Sequence, residues 1–95
     1  MNLNYETDTE VLVYEDVDID SLKENQLIVY NDEVNTFDHV INTLIDICSH
    51  SQEQAEQCTY IIHYKGKCSV KEGPFDDLVP LRNAICDRGI SAEVT

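Results

Sequence analysis

Two short motifs carry the side chains best suited to chemistry: Asn31-Asp32-Glu33 and His63-Tyr64-Lys65-Gly66-Lys67. Asn31 offers an amide oxygen, Asp32 a carboxylate and His63 a neutral ring nitrogen, three different hydrogen-bond acceptors. Asp32 and His63 could also form an acid–base pair. An enzyme built on them lacks the rest of its equipment: there is no serine elbow, and the three glycines make no phosphate-cradling loop. His39, His50, His63 and Cys58 are competent zinc ligands. Yet Cys58 and His63 stand five apart, off a shared helix face, and no HxxxH or CxxC spacing occurs. No metal and no cofactor are therefore expected. Taken alone, Asn31 and Asp32 read as turn formers, and His63 as a surface residue compatible with a helix C-terminus.

Charge narrows the classes further. Of 95 residues, 19 are acidic and 6 basic, a formal charge of −13. Such a chain repels phosphate backbones and anionic lipid surfaces, so neither nucleic acid nor membrane is an expected partner. Residues 1–25 hold eight acids and Lys23 as the one base, −7; residues 26–95 carry −6. The charge-dense first segment reads as a flexible extension, with Val11-Leu12-Val13-Tyr14 as a run that could pair as a strand or dock weakly. Residues 26–95 read as one small domain. The first 25 residues lack a basic start and a long apolar run, so no signal peptide is expected. The cysteines at 48, 58, 68 and 86 match no zinc spacing. They read as small buried hydrophobes of a reduced protein.

The elements that must position these residues follow from periodicity. Leu27-Ile28-Val29-Tyr30 is a β-branched and aromatic strand, ended by the Asn31–Glu33 turn. Phe37, Val40, Ile41, Leu44, Ile47 and Cys48 form a helical stripe capped by Asn35 or Thr36. Ser51 with Gln54 is a capping box for a second helix, with Ala55, Cys58, Ile61 and Ile62 inward and Gly66 as its stop. Lys67–Lys71 alternates as a strand, and Gly73-Pro74 breaks it. A third helix follows with Leu78, Leu81 and Ile85 inward. Asp77 as its N-cap would excuse Pro80, placing it where no backbone donor is needed. Arg88 and Gly89 close it, and Ile90–Val94 is the last strand. The order β-α-α-β-α-β predicts an α+β domain: a three-stranded antiparallel sheet packed against three helices.

The Asn31-Asp32-Glu33 turn, the following helix and His63-Tyr64-Lys65-Gly66-Lys67 together resemble ClpS, the adaptor family of the ATP-dependent Clp protease. Gln54-Ala55 also fits, and the resemblance covers roughly residues 26–95. It implies a protein without catalytic activity that works in the cytoplasm. Such a protein would bind N-degrons, substrate proteins that begin with a large hydrophobic residue. It would deliver them to the N-terminal domain of a ClpA- or ClpC-type AAA+ unfoldase.

By that resemblance Asn31, Asp32 and His63 are expected to hold the α-amine and first peptide group. Phe37, Val40, Thr59, Ile62 and Ile90 would form the hydrophobic pocket, with Asn35 at its rim. Two residues depart from the family pattern: Phe37 and Thr59 replace the methionines often found there, so a stiff ring and a smaller polar residue should reshape the cavity. Glu33 replaces the commoner aspartate. Docking of the unfoldase is expected near the start of the third helix, where Asp76, Asp77 and Arg82 are the available charges. The acidic extension is expected to serve delivery. A different class also fits the composition: an acidic protein–protein interaction module without peptide-pocket activity. Converging α-amine acceptors are what would separate the two.

Overall fold

A computed structural model describes residues 24–95, and the acidic extension expected over residues 1–25 falls almost wholly outside them. The elements are β1 (Asn25–Tyr30), α1 (Phe37–Cys48), α2 (Gln52–Lys65), β2 (Lys67–Gly73), α3 (Phe75–Asp87) and β3 (Ala92–Val94). The sheet is antiparallel throughout, in the order β2-β1-β3. This is the α+β arrangement expected. Among the described residues, no helix is long and apolar enough to cross a membrane.

β1 is central because its alternation serves the core: Leu27 and Val29 are buried while their neighbours are only half-buried or exposed. β2 carries a bulge, since Leu27 pairs with Lys71 and Ile28 with Ser69, skipping Val70. Val70 is buried there, and its carbonyl receives the Nε2–H of buried His50 at 2.7 Å. That bond pins the α1–α2 connection to the sheet and accounts for one histidine otherwise available as a metal ligand. Leu27, Val29, Leu44, Leu78 and Ile85, each at most 1% exposed, join strand, α1 and α3 in one core.

The helix ends follow local chemistry. Thr36 Oγ1 accepts from the His39 N–H at 3.1 Å, and Ser51 Oγ accepts from Gln54 N–H at 3.1 Å. Gly66 ends α2 at φ 93°, left-handed backbone that glycine adopts without steric cost. α3 departs from expectation. It begins at Phe75, with Pro74 as the N-cap whose carbonyl accepts from the N–H groups of Asp77 and Leu78. Asp77 is therefore a first-turn acid favoured by the helix dipole, not the cap. Pro80 falls at the sixth helical position, inside the helix, where its missing N–H removes the bond to the Asp76 carbonyl.

Arg88 and Gly89 close α3 as expected, Arg88 as its C-cap and Gly89 at φ 84°, and the Arg88 guanidinium pairs with Asp46 on α1 at 3.0 Å. Two further expectations are corrected. The last strand begins at Ala92, so Ile90 lies in the preceding link. Of the four cysteines, all free, only Cys48 is buried; Cys58 and Cys68 are half-buried and Cys86 is exposed. Burial pushes the Cys48 thiol up to about 11 and, with neighbouring Cys58, the Cys68 thiol up to about 12. Both thiols are thus protonated at neutral pH and poor nucleophiles.

Candidate functional site

A backbone hydrogen bond sets the site. Asn31 N–H donates to the Gly66 carbonyl at 2.9 Å, drawing the end of β1 against the end of α2. The two motifs, whose first residues stand 32 positions apart in sequence, become neighbours. Between them lies a cleft of about 420 Å³, lined by Asn31, Asp32, Glu33, Asn35, Thr36, Phe37, Val40, Thr59, Ile62 and His63. That volume is within the roughly 300–1,000 Å³ of small-ligand sites.

Its inner surface is apolar in effect. Val40 and Ile62 are buried, and so is Thr59. The Thr59 hydroxyl donates to the Ala55 carbonyl at 2.7 Å, one helical turn back, so its hydrogen is already committed. The polar wall expected at this position is therefore quieter than the residue type suggests.

The mouth is built around Asp32. Its Oδ1 accepts from the N–H groups of Val34 at 2.9 Å and Asn35 at 2.8 Å, and its Oδ2 accepts from Asn35 Nδ2 at 2.6 Å. The backbone bond from Asn35 is the largest cause holding the Asp32 carboxyl below its ordinary 3.8, so it is ionised at neutral pH. Asp32 is thus a turn former and a fixed negative charge at once. A carboxylate has about four acceptor sites, so three bonds leave one for a ligand. Glu33 adds a second carboxylate at the mouth, and among the described residues no lysine or arginine lines it.

Asn35 also donates to the Gly89 carbonyl at 2.9 Å. Both of its partners are acceptors, so the amide nitrogen must face them, leaving Oδ1 as an uncommitted acceptor. His39 Nε2–H reaches the Arg88 carbonyl at 2.9 Å. Together these bonds fasten the α1 N-terminus to the α3–β3 link and hold the rim in place.

The other rim is aromatic. Phe37 meets the His63 ring edge-on at 5.0 Å and the Tyr60 ring edge-on at 5.5 Å. His63 in turn contacts Tyr64 at 5.0 Å, and Tyr64 stacks on Tyr60 at 6.1 Å. Phe37 is therefore wedged, not free.

Asn31, Asp32, Asn35, Phe37, Val40, Thr59, Ile62 and His63 are brought together as the sequence predicts. Ile90 is not: it is 3% exposed, in the core, and does not line the cleft. Asp76, Asp77 and Arg82 lie elsewhere, on α3. Sequence reasoning gave Thr36 only a capping role, though it also lines the cleft, and overlooked Tyr60. The signal for Tyr60 was the i, i+4 pair Tyr60/Tyr64 flanking His63 on one helix.

These features define an α+β domain with one acidic-mouthed, apolar-floored cleft where β1, α1 and α2 meet. Residues 20–91 match the family model of the ATP-dependent Clp protease adaptor protein ClpS. The chain belongs to the ClpS family of Clp protease adaptors. Among solved structures it is similar to Agrobacterium tumefaciens ClpS2 bound to L-phenylalaninamide, with a TM-score of 0.74 and 15% identity over 77% of this chain and 95% of that one. At this identity the likeness shows the fold. No curated protein sequence matches the chain significantly.

Proposed function

We propose that the cleft binds the free N-terminus of proteins beginning with a large hydrophobic residue. The observation that carries this is the convergence of an ionised carboxylate, an amide and an imidazole on the mouth of a cleft with an apolar interior. A peptide α-amine, with a pKa near 8, is largely cationic at neutral pH and presents three donors. Asn31, Asp32 and His63 supply three acceptors, and the Glu33 carboxylate adds attraction. Hydrogen bonds to a charged group contribute about 1.5–3 kcal/mol each. Burying a Leu or Phe side chain against Val40, Thr59 and Ile62 adds about 1.5–3 kcal/mol. Two or three such bonds with one buried side chain reach the roughly 8 kcal/mol of a micromolar complex. Phe37 and Asn35 bound the entry. The ligand named for the similar Agrobacterium protein, a phenylalanine derivative, is of this class.

Such a protein acts by presentation, not catalysis. Its client would pass to a ClpA- or ClpC-type AAA+ unfoldase in the cytoplasm, with Asp76, Asp77 and Arg82 on α3 as docking charges. Residues 1–25 would serve handover: their deletion should leave peptide affinity unchanged and abolish degradation of a bound client.

The test is titration of fluorescent peptides that differ only at residue one: Leu, Phe, Val, Ala and acetyl-Leu. Micromolar binding of free Leu or Phe with acetyl-Leu silent supports the reading. Silence from every peptide overturns it and leaves an acidic interaction module without pocket activity.

A further inference from the structure

The cleft continues outward onto a set of rings that the fold leaves in water. Phe37, Tyr60, Tyr64 and His63 form a closed circuit, each ring meeting the next at 5.0–6.1 Å. Phe37 and His63 line the cleft, and Tyr60 and Tyr64 stand one ring further out. Among the described residues five large hydrophobic side chains are exposed, and three belong to this circuit: Phe37 at 36%, Tyr60 at 52% and Tyr64 at 75%. Exposed apolar surface gathered in one place marks a contact site.

Charge says what kind of contact. Tyr60 and Tyr64 lie nearly parallel, 6° apart, and an aromatic face attracts a cation. Glu56 precedes Tyr60 by one turn on the same face of α2, so the stripe reads Glu56, Tyr60, Tyr64 at four-residue steps. The Glu56 carboxylate is half-buried and held in place, its Oε2 accepting from Gln52 Nε2–H at 2.8 Å. Lys65 points about 100° around the helix from Tyr64. Rings in line with a fixed carboxylate suit a planar cation, a guanidinium above all, which stacks on aromatic faces and pairs with carboxylates.

Position says where that cation comes from. An extended chain turns successive side chains to opposite faces. With residue one in the cleft, residue two faces away, and residue three returns to the surface roughly 7 Å further on. The rings just outside the cleft lie at a matching distance, Tyr64 5.0 Å from His63 and Tyr60 5.5 Å from Phe37. The opposite rim suits a cationic chain less well. Asn35 and His39 are tied there to the Gly89 and Arg88 carbonyls, and that link carries the Arg88 guanidinium.

We propose that Tyr60 and Tyr64, with Glu56, form a second subsite that receives an arginine or lysine at the third position of a client whose first residue fills the cleft. This rests on the reading of the cleft as a site for a free N-terminus. The recognised signal then has two parts, a hydrophobic first residue and a cation two residues later. The aromatic circuit joins them, because Phe37 and His63 belong to both.

The experiment titrates the full chain with fluorescent peptides that are identical beyond their first three residues: Leu-Ala-Arg, Leu-Ala-Ala, Leu-Ala-Glu and Leu-Arg-Ala. Leu-Ala-Arg should bind about two- to fivefold more tightly than Leu-Ala-Ala, and Leu-Ala-Glu more weakly than either. Tyr64→Leu and Glu56→Gln should each bring the Arg/Ala ratio toward one, whereas Tyr64→Phe keeps the ring and most of the ratio. Equal affinity for Leu-Ala-Arg and Leu-Ala-Ala overturns this proposal and leaves the reading of the cleft intact. An equal gain for Leu-Arg-Ala also overturns it, because the attraction would then be to the acidity of the whole protein. A ratio unchanged in Tyr64→Leu does the same. Silence from every peptide overturns the reading of the cleft and this subsite together.

Discussion

The two concavities of this domain are close in size and opposite in construction. The β1–α1–α2 cleft has a mouth of acceptors, two of them fixed by other hydrogen bonds: Asp32 by three, Asn35 by two. The α3–β3 groove, where Phe75, Val79 and Arg82 of α3 meet Glu93 and Val94 of β3 in about 510 Å³, has among the described residues one cation, an exposed phenylalanine and a sheet edge. The first is preorganised for a small charged group whose every donor must be met. The second suits an extended apolar segment whose exact placement matters less. Preorganisation concentrates binding energy in few residues, whereas an apolar groove spreads it. Substitutions should therefore act sharply in the cleft and gradually in the groove.

The largest effect is expected at Asp32. Asp32→Ala removes both the turn and the charge, and should weaken a Leu-initiated peptide by about 100-fold or more, since a lost charged hydrogen bond contributes about 1.5–3 kcal/mol. Asp32→Asn keeps a side-chain oxygen for the Val34 and Asn35 N–H groups but loses the charge. It should retain the fold, read by circular dichroism, while still binding about tenfold more weakly. Equal affinity for Asn and Asp would make Asp32 a turn former only. The pH dependence has a definite sign. Because the folded Asp32 carboxyl sits below 3.8, its contribution to stability is present above that value. It disappears as pH falls through the lower folded value, and peptide binding should be lost over the same acid range.

His63→Ala should come next, at about tenfold in affinity, through one lost acceptor. It also removes a ring packed on Phe37, so a change in discrimination between Phe- and Val-initiated peptides should accompany the loss. Tyr60→Ala tests that packing alone. Tyr60 does not line the cleft but holds Phe37 edge-on at 5.5 Å, a contact worth about 0.5–1.5 kcal/mol beyond burial. The expected result is a change of about threefold in the Phe/Val ratio with little loss of Leu affinity. An unchanged ratio would show that Phe37 holds its place without the brace.

How far these features could be read from sequence depends on whether their cause is local. Thr36, Ser51 and Gly66 were legible because caps act within four residues of themselves. The β-branched and aromatic run of β1 was legible for the same reason, though not which of its residues face the core. Asp77 misled because an acid near a helix start suits both the cap and the first turn, and the choice rested on Pro74 taking the extended conformation. Ile90 misled because an apolar residue beside a strand can face core or cleft, and only the packing of α3 against β3 decides. The partnership of Asn31–Asp32 with His63 came from resemblance to a family. Its physical cause, the bond from Asn31 to Gly66, joins residues that no periodicity connects. The Val70 bulge and its His50 partner left no sequence signal, since the histidine reads equally well as a surface residue.

The smallest effect is expected where the structure shows a charge pair. Arg88 and Asp46 approach to 3.0 Å, but both are substantially exposed, at 38% and 57% of the side chain. Pairs of this kind contribute about 0–1 kcal/mol and are screened by salt. What fastens the α3–β3 link to the cleft is the Arg88 carbonyl, which takes the His39 Nε2–H, and the Gly89 carbonyl, which takes the Asn35 amide. Arg88→Ala keeps both carbonyls. It should leave peptide affinity unchanged within error and lower stability by less than about 1 kcal/mol. Asn35→Ala, by contrast, removes a donor shared between Asp32 and Gly89 and should weaken binding several-fold. If Arg88→Ala were the more damaging of the two, the rim would be held by side-chain charge and not by backbone carbonyls. The contrast between a preorganised cleft and a looser groove would then lose its physical basis.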